Sequence, residues 1–214
     1  MVGDCVNVET EDLVEKSWNK LFELKDKINF VLIGGWAVYL YTKRNKATKD
    51  IDMIVDYDTL GYLQANYQVN RNDRLRKYDV KLEEGFDIDV YVPKFSKLII
   101  PIEDILNLTI EKEGFIMPRP EFLLILKLDA FIDRQNSVKG RKDATDITGL
   151  VFFAGCDFKF FKELTIKYEL YDYPRILLSI IENFDRSLIE YLNLNENEFA
   201  KLRKKYIEEV RKIL

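Results

Sequence analysis

The sequence predicts an α+β fold, a mixed sheet flanked by helices over its first half and a helical C-terminal part after it. Three observations carry this prediction. A continuous apolar run at 30–33 stops at Gly34-Gly35. Two-residue alternation follows at 51–55 and within 75–92. From Glu121 onward no strand-like pattern is needed, because apolar residues recur at helical spacing. A chain of 214 residues accommodates one compact domain and a smaller helical one, and the boundary is placed at Pro118, giving domains 1–117 and 118–214.

Taken in order, the first element is a helix over 10–27. Thr10 caps it, Glu11 and Asp12 sit in its first turn where they oppose the helix dipole, and Leu13, Trp18, Leu21, Phe22 and Leu24 form its apolar side. The 30–33 run, apolar without interruption, reads as a strand buried on both faces. A short helix over 35–41 follows, with Trp36 assigned to the core, as is Trp18. Ile51, Met53 and Val55 alternate with Asp52 in a second strand, and Asp50 stands at its entrance. After a helix over 59–66, strands at 75–82 and 86–92 form a hairpin around Glu83-Glu84-Gly85, and Pro93 ends it. Pro118 and Pro120 introduce a long helix carrying Leu123, Leu124, Leu128 and Phe131. Further helices are expected at 143–153, 158–168, 174–184 and 196–214.

Composition narrows the chemistry. Hydrophobic residues at 47% and charged residues at 33%, with both signs interspersed, describe a folded chain rather than a disordered one. A net charge of -4 does not suit a surface coated for indiscriminate polyanion binding. The local clusters Arg71, Arg74, Arg76, Lys77 and Lys139, Arg141, Lys142 read as solvated surface. Cys5 and Cys156 lack a Cys-x-x-Cys spacing and are expected as free thiols. No signal-like start or membrane-length apolar run is present in the sequence, so a cytoplasmic protein away from membranes is expected. The sequence contains no histidine, which excludes Ser-His-Asp and Cys-His mechanisms. Catalysis must use carboxylates, lysine, tyrosine or a metal, and carboxylate ligands favour hard cations such as Mg²⁺ or Mn²⁺.

One constellation meets that requirement. Residues i and i+2 of a strand share a face, so Asp50 and Asp52 project together and need a cation between them. A third carboxylate from Asp87-Ile88-Asp89 completes a set able to hold two divalent ions about 3.5–4 Å apart for in-line phosphoryl chemistry. Gly34 and Gly35, without side chains, let triphosphate oxygens approach the backbone, and the helix behind them offers N–H groups to the anion. Thr48 and Lys49 are candidates to orient the loop before Asp50.

The run IGGWAVYLYTKRNKATKDIDMIV, followed by FDIDVYV, resembles the nucleotidyltransferase superfamily with the DNA polymerase beta-like catalytic fold. Gly34-Gly35 matches that family's turn, Asp50 and Asp52 its acidic pair, and Asp89 its third acid, with Asp87 as a rival on the same face. EFLLILKLDAFIDR with GRKDATDITGL is similar to the helical part of the bacterial and archaeal branch related to type IV toxin-antitoxin toxins. There Lys127 matches a helix lysine beside the triphosphate, and Asp143 or Asp146 a later acid; a snorkelling lysine and local ion pairing are the structural alternatives. The resemblance covers about residues 30–150. It implies transfer of a nucleoside monophosphate from an NTP, with Mg²⁺ or Mn²⁺, to an acceptor, with release of pyrophosphate. Asp50 and Asp52 would bind both ions, and Asp89 would bind the catalytic ion and help deprotonate the acceptor. The acceptors implied are tRNA, another nucleic acid or a protein, with an antitoxin protein as partner. Two alternatives stand beside this: a non-catalytic nucleotide-binding or regulatory protein, and a transferase acting on an aminoglycoside-like small molecule.

Overall fold

The computed structural model describes residues 8–44 and 48–214, and in it the uninterrupted apolar run Val31–Ile33 is β1, buried at all three positions. Around it the chain runs α1 (Val8–Lys25), β1, α2 (Gly34–Thr42), β2 (Ile51–Ile54), α3 (Tyr57–Asn66), β3 (Gln68–Asn72), β4 (Lys77–Lys81), β5 (Asp87–Tyr91), α4 (Ile102–Leu106), β6 (Thr109–Lys112) and β7 (Phe115–Pro118). Helices α5 (Pro120–Arg134), α6 (Val138–Phe153), α7 (Phe158–Lys167) and α8 (Tyr173–Glu182), a 3-10 turn (Arg186–Leu192) and α9 (Glu196–Arg211) follow.

Among the described residues, seven strands make one mixed sheet in the order β3-β4-β5-β2-β1-β7-β6. β1 is antiparallel to β2 and parallel to β7, β2 is parallel to β5, and β5, β4 and β3 are successively antiparallel. The central place of β1 explains its continuous apolarity, since neither face meets water. Alternation sets the faces of its neighbours. Ile51 and Met53 of β2, Ile88 and Val90 of β5, and Tyr78 and Val80 of β4 are buried, while the residues between them are mostly only half-buried.

The chain divides into two compact units, Met1–Trp36 with Lys46–Met117, and Ala37–Asn45 with Pro118–Leu214. In the first, α1 contributes Leu21 and Leu24 to the core. Trp18 lies 4.8 Å from the Trp36 ring, Phe22 lies 5.1 Å from Phe115, and the Trp36 indole N–H donates to Ser17 Oγ at 2.9 Å. Burying Trp36 therefore leaves its one polar atom satisfied. In the second unit, α5 buries Phe122, Leu123, Leu124, Ile125 and Leu128, and α6 buries Ile147, Leu150, Val151 and Phe152.

The structure departs from the sequence expectations in several places. The first helix already includes Val8, so Thr10 lies inside it instead of capping it. Strand β3 was not expected, because Gln68–Asn72 has only one apolar residue; it is an edge strand with little to bury. The sheet also does not end at residue 92, since β6 and β7 add a second hairpin and β7 lies beside β1. Helix α6 begins at Val138, five residues before the expected start, where the Ser137 side chain accepts from Gly140 N. No described helix is long and apolar enough to cross a membrane. Cys156 is a free thiol; Cys5 lies outside the described residues.

Helix α3 starts at Tyr57, two residues before the expected start, with Asp56 as its N-cap. The Asp56 carboxylate accepts from Thr59 N at 2.7 Å, and that hydrogen bond holds its carboxyl below the ordinary range. Asp56→Ala is expected to cost about 1 kcal/mol in urea denaturation at neutral pH. Because the folded-state pKa is depressed, this contribution is present above the unfolded carboxyl's pKa and lost as pH falls through the folded one. The wild-type and Asp56→Ala curves should therefore converge in acid.

Candidate active site

Register brings the acids together. Ile33 at the end of β1 faces Asp52 of β2, Asp52 is the register partner of Asp89 in parallel β5, and Asp89 is the partner of Asp79 in β4. Register partners point to the same side of a sheet, so Asp52, Asp89 and Asp79 form a row of carboxylates across three strands, opposite the apolar face. Asp50 lies immediately before β2 and is half-buried. Asp87, the rival third acid, shares the face but is held by Lys81 at 2.5 Å, with both side chains nearly half exposed. The register thus sets Asp89, not Asp87, beside Asp52.

The two glycines have a packing reason of their own. A Cβ at Gly34 would stand 2.0 Å from Asp52 Oδ2, 2.6 Å from its Cγ and 2.7 Å from its Cβ, and Gly34 has φ +69°. Turning the carboxylate away would not relieve the last contact, because the Asp52 Cβ is fixed by the backbone. A Cβ at Gly35 would stand 2.7 Å from Thr48 Oγ1, and the buried Thr48 hydroxyl reaches Asp50 O at 3.5 Å. The first turn of α2 is therefore seated directly against Asp52 and against the loop that carries Thr48, Lys49 and Asp50. Gly34→Ala should lower stability by about 2 kcal/mol, from left-handed strain plus displacement of Asp52, a loss measurable by thermal or urea unfolding.

Two residues in this row were missed as site residues. Lys77, read in the sequence as part of a solvated basic cluster, places Nζ 2.5 Å from Asp89 Oδ2 and 3.0 Å from Asp79 Oδ1. Asp79 also accepts from Asn72 Nδ2 at 3.1 Å. The signal available was alternation: Lys77 and Asp79 lie two apart in one strand, as Asp87 and Asp89 do in the next. Burial, the largest influence, and the like charge of Asp79 push the Asp89 carboxyl above its ordinary value despite Lys77. Burial pushes Asp79 up too, but hydrogen bonds from Lys77 and Asn72 together carry it below. Burial lowers Lys77, and its two carboxylate partners more than offset this, so its pKa is raised.

Arg71 and Arg76 of the same cluster are also engaged. Arg71 pairs with Asp73 at 2.7 Å, and the guanidinium carbons of Arg71 and Arg76 lie 4.4 and 4.8 Å from the centre of the Phe95 ring.

Lys127, Asp143 and Asp146 belong to the second unit. Lys127 Nζ lies 2.6 Å from Asp146 Oδ2 and 3.5 Å from Asp143 Oδ1. The Asp146 contact is an ion pair without hydrogen-bond alignment. Arg134 clasps Asp143 through Nε at 2.7 Å and Nη2 at 3.0 Å. The side chains of Asp143 and Asp146 are 1% and 2% exposed and that of Lys127 is 12% exposed, so α5 and α6 share a buried ionic cluster.

Among the described residues, no three acidic or thiol side chains already converge on a point that could hold a metal ion. The Asp52–Asp89 pairing nonetheless has the donor chemistry of a hard-cation site, carboxylate oxygens in adjacent strands, and an ammonium group already stands in for a cation at Asp89.

The model of a family described as "Nucleotidyltransferase of unknown function (DUF6036)" matches residues 12–212. No curated protein matches the chain. Among solved structures, a candidate nucleotidyltransferase from H. pylori is similar over 98% of this chain and 99% of its own, at 15% identity and a TM-score of 0.51. JHP933 from Helicobacter pylori matches over 92% of both chains, at 17% identity and a TM-score of 0.47. At these identities the first similarity speaks for the fold alone.

Proposed function

The chain belongs to this nucleotidyltransferase family, and we propose that it moves a nucleoside monophosphate from an NTP to an acceptor hydroxyl or phosphate, releasing pyrophosphate, with Mg²⁺ or Mn²⁺ held by Asp50, Asp52 and Asp89. The observation that carries the proposal is the Asp52–Asp89 register beside Gly34. It sets two acids from different parts of the sequence next to the N-terminus of a nine-residue helix, which favours anions.

The divalent cation, when bound, neutralises phosphate charge and polarises the α-phosphorus. The chain's own residues do the rest. The first turn of α2 receives triphosphate oxygens close to the glycine backbone, and Thr48 and Lys49 hold the loop that presents Asp50. Asp89, beside Asp52 on the neighbouring strand, is the carboxylate placed to take the proton of the acceptor group. The acceptor oxygen then bonds to the α-phosphorus as the bond to pyrophosphate breaks. The part that the resemblance gives Lys127, neutralising phosphate charge, is a separable proposal: a Lys127→Arg variant that keeps its stability should raise the KM for NTP.

The test is incubation of the protein with each α-labelled NTP and Mg²⁺, with total tRNA, other RNA, proteins or aminoglycosides as acceptors. Label transfer with pyrophosphate release is the expected result, and the fraction that carries label names the acceptor. Growth arrest on expression, relieved by a co-expressed protein partner, would assign the toxin role of a toxin-antitoxin pair. NTP binding without transfer to any acceptor favours the non-catalytic, regulatory reading.

A further inference from the structure

Two acids facing each other across neighbouring strands repel, and here a lysine lies between them. Lys77 reaches both Asp89 and Asp79, and the side chains of the three are 13%, 22% and 18% exposed. Such shielding makes the contact stronger than that of an exposed pair. Lys77 and Asp79 stand two apart in β4, so the same strand face that delivers the ammonium to Asp89 also carries a second carboxylate for it. Asn72 fixes that second carboxylate from β3. A divalent ion at Asp89 must compete with the ammonium for the same Oδ2 atom.

We propose that Lys77 is a built-in counter-cation, which occupies Asp89 in the metal-free protein and is displaced onto Asp79 when a divalent ion binds. This rests on the reading of Asp52 and Asp89 as metal ligands. Lys77 is then a positioning residue: it holds Asp89 by Oδ2 from the β4 side while no ion is present, and it sets how much divalent cation the site requires. Asp79 gives it a place to go, so that no ammonium is left without a partner on a half-buried sheet face.

Mn²⁺ binding to the full chain without nucleotide, measured by the loss of the free-ion paramagnetic resonance signal, tests this. Lys77→Met is expected to bind Mn²⁺ about tenfold more tightly than wild type, because the competing cation is gone. Lys77→Gln, which retains a hydrogen-bond donor for the sheet face, should tighten binding in the same direction and covers the case in which Lys77→Met folds poorly. Lys81→Met is the matched control. It removes the same charge from the same face of β4, where Lys81 holds Asp87 instead, and should change binding less than twofold. Equal or weaker binding by both Lys77 variants overturns the proposal, as does an equal gain from Lys81→Met, which would mark a diffuse charge effect. Asp52→Asn and Asp89→Asn separate the two levels. If both leave Mn²⁺ binding intact, the metal site itself is misassigned; if they abolish it while Lys77→Met does not tighten it, only the role of Lys77 fails.

Discussion

Asp52→Ala should reduce nucleotidyl transfer by about 10³-fold while leaving the protein folded. Asp52 is half-buried, abuts the glycine turn and sits in register with Asp89, so its removal strips the site of its central carboxylate. Stability should hold, because the deletion also removes a negative charge next to Asp89. Asp89→Ala should be nearly as damaging to transfer. Asp87→Ala, which removes only an exposed pair with Lys81, should alter the rate less than twofold. Rates measured with saturating NTP and Mg²⁺ decide the matter. Transfer that survives Asp52→Ala, or that falls as far with Asp87→Ala as with Asp89→Ala, sinks the assignment.

Lys127→Met should destabilise the protein by about 3 kcal/mol, read as a shift in the urea midpoint. The cause is desolvation. Asp143 and Asp146 are almost wholly buried, and Lys127 lies within ion-pair distance of both, while Arg134 is paired with Asp143. Replacing Asp146 by leucine in the same chain should recover much of the loss, since a buried ion pair exchanged for apolar groups is often neutral. A Lys127→Met protein as stable as wild type would mean that the lysine does not hold this cluster together and would leave its proposed part at phosphate as the reason for its presence.

Much of this was legible in the sequence, for identifiable reasons. Strong periodicity with an interruption was readable: the 30–33 run, the alternation around Asp52 and Asp89, and the leucine-rich α5 all follow from burial demanding a pattern. The polar edge strand β3 was not, because a strand with one neighbour and no core face imposes no pattern. Lys77 was missed for a related reason. In the sequence it follows Arg74 and Arg76, and chain proximity made it look like one more surface charge. The sheet assigns it instead by bringing its side chain to Asp89 of the neighbouring strand. Asp79 had the alternation and an expected partner strand, but the register that sets it against Asp89 depends on the geometry of the turn between them. Likewise, the glycines could be read as room for phosphate, while their closeness to Asp52 and Thr48 depends on how the 48–50 loop returns to the helix start.

The pairing of β2 with β5 has a genetic consequence. Asp89 reaches Asp52 only because both strands are counted from the same rung, and side chains in a strand change sides at every step. Losing the single codon for Ile88 would shift the acids of β5 by one place against β2 and send one of them into the apolar interior, a greater injury than any exchange of one amino acid there. An added codon between Leu82 and Phe86, in the turn ahead of the strand, would be absorbed with little harm. In-frame insertions and deletions scanned along 82–91 should therefore show a sharp border at the start of β5, set by counting in twos and not by the identity of the residue removed.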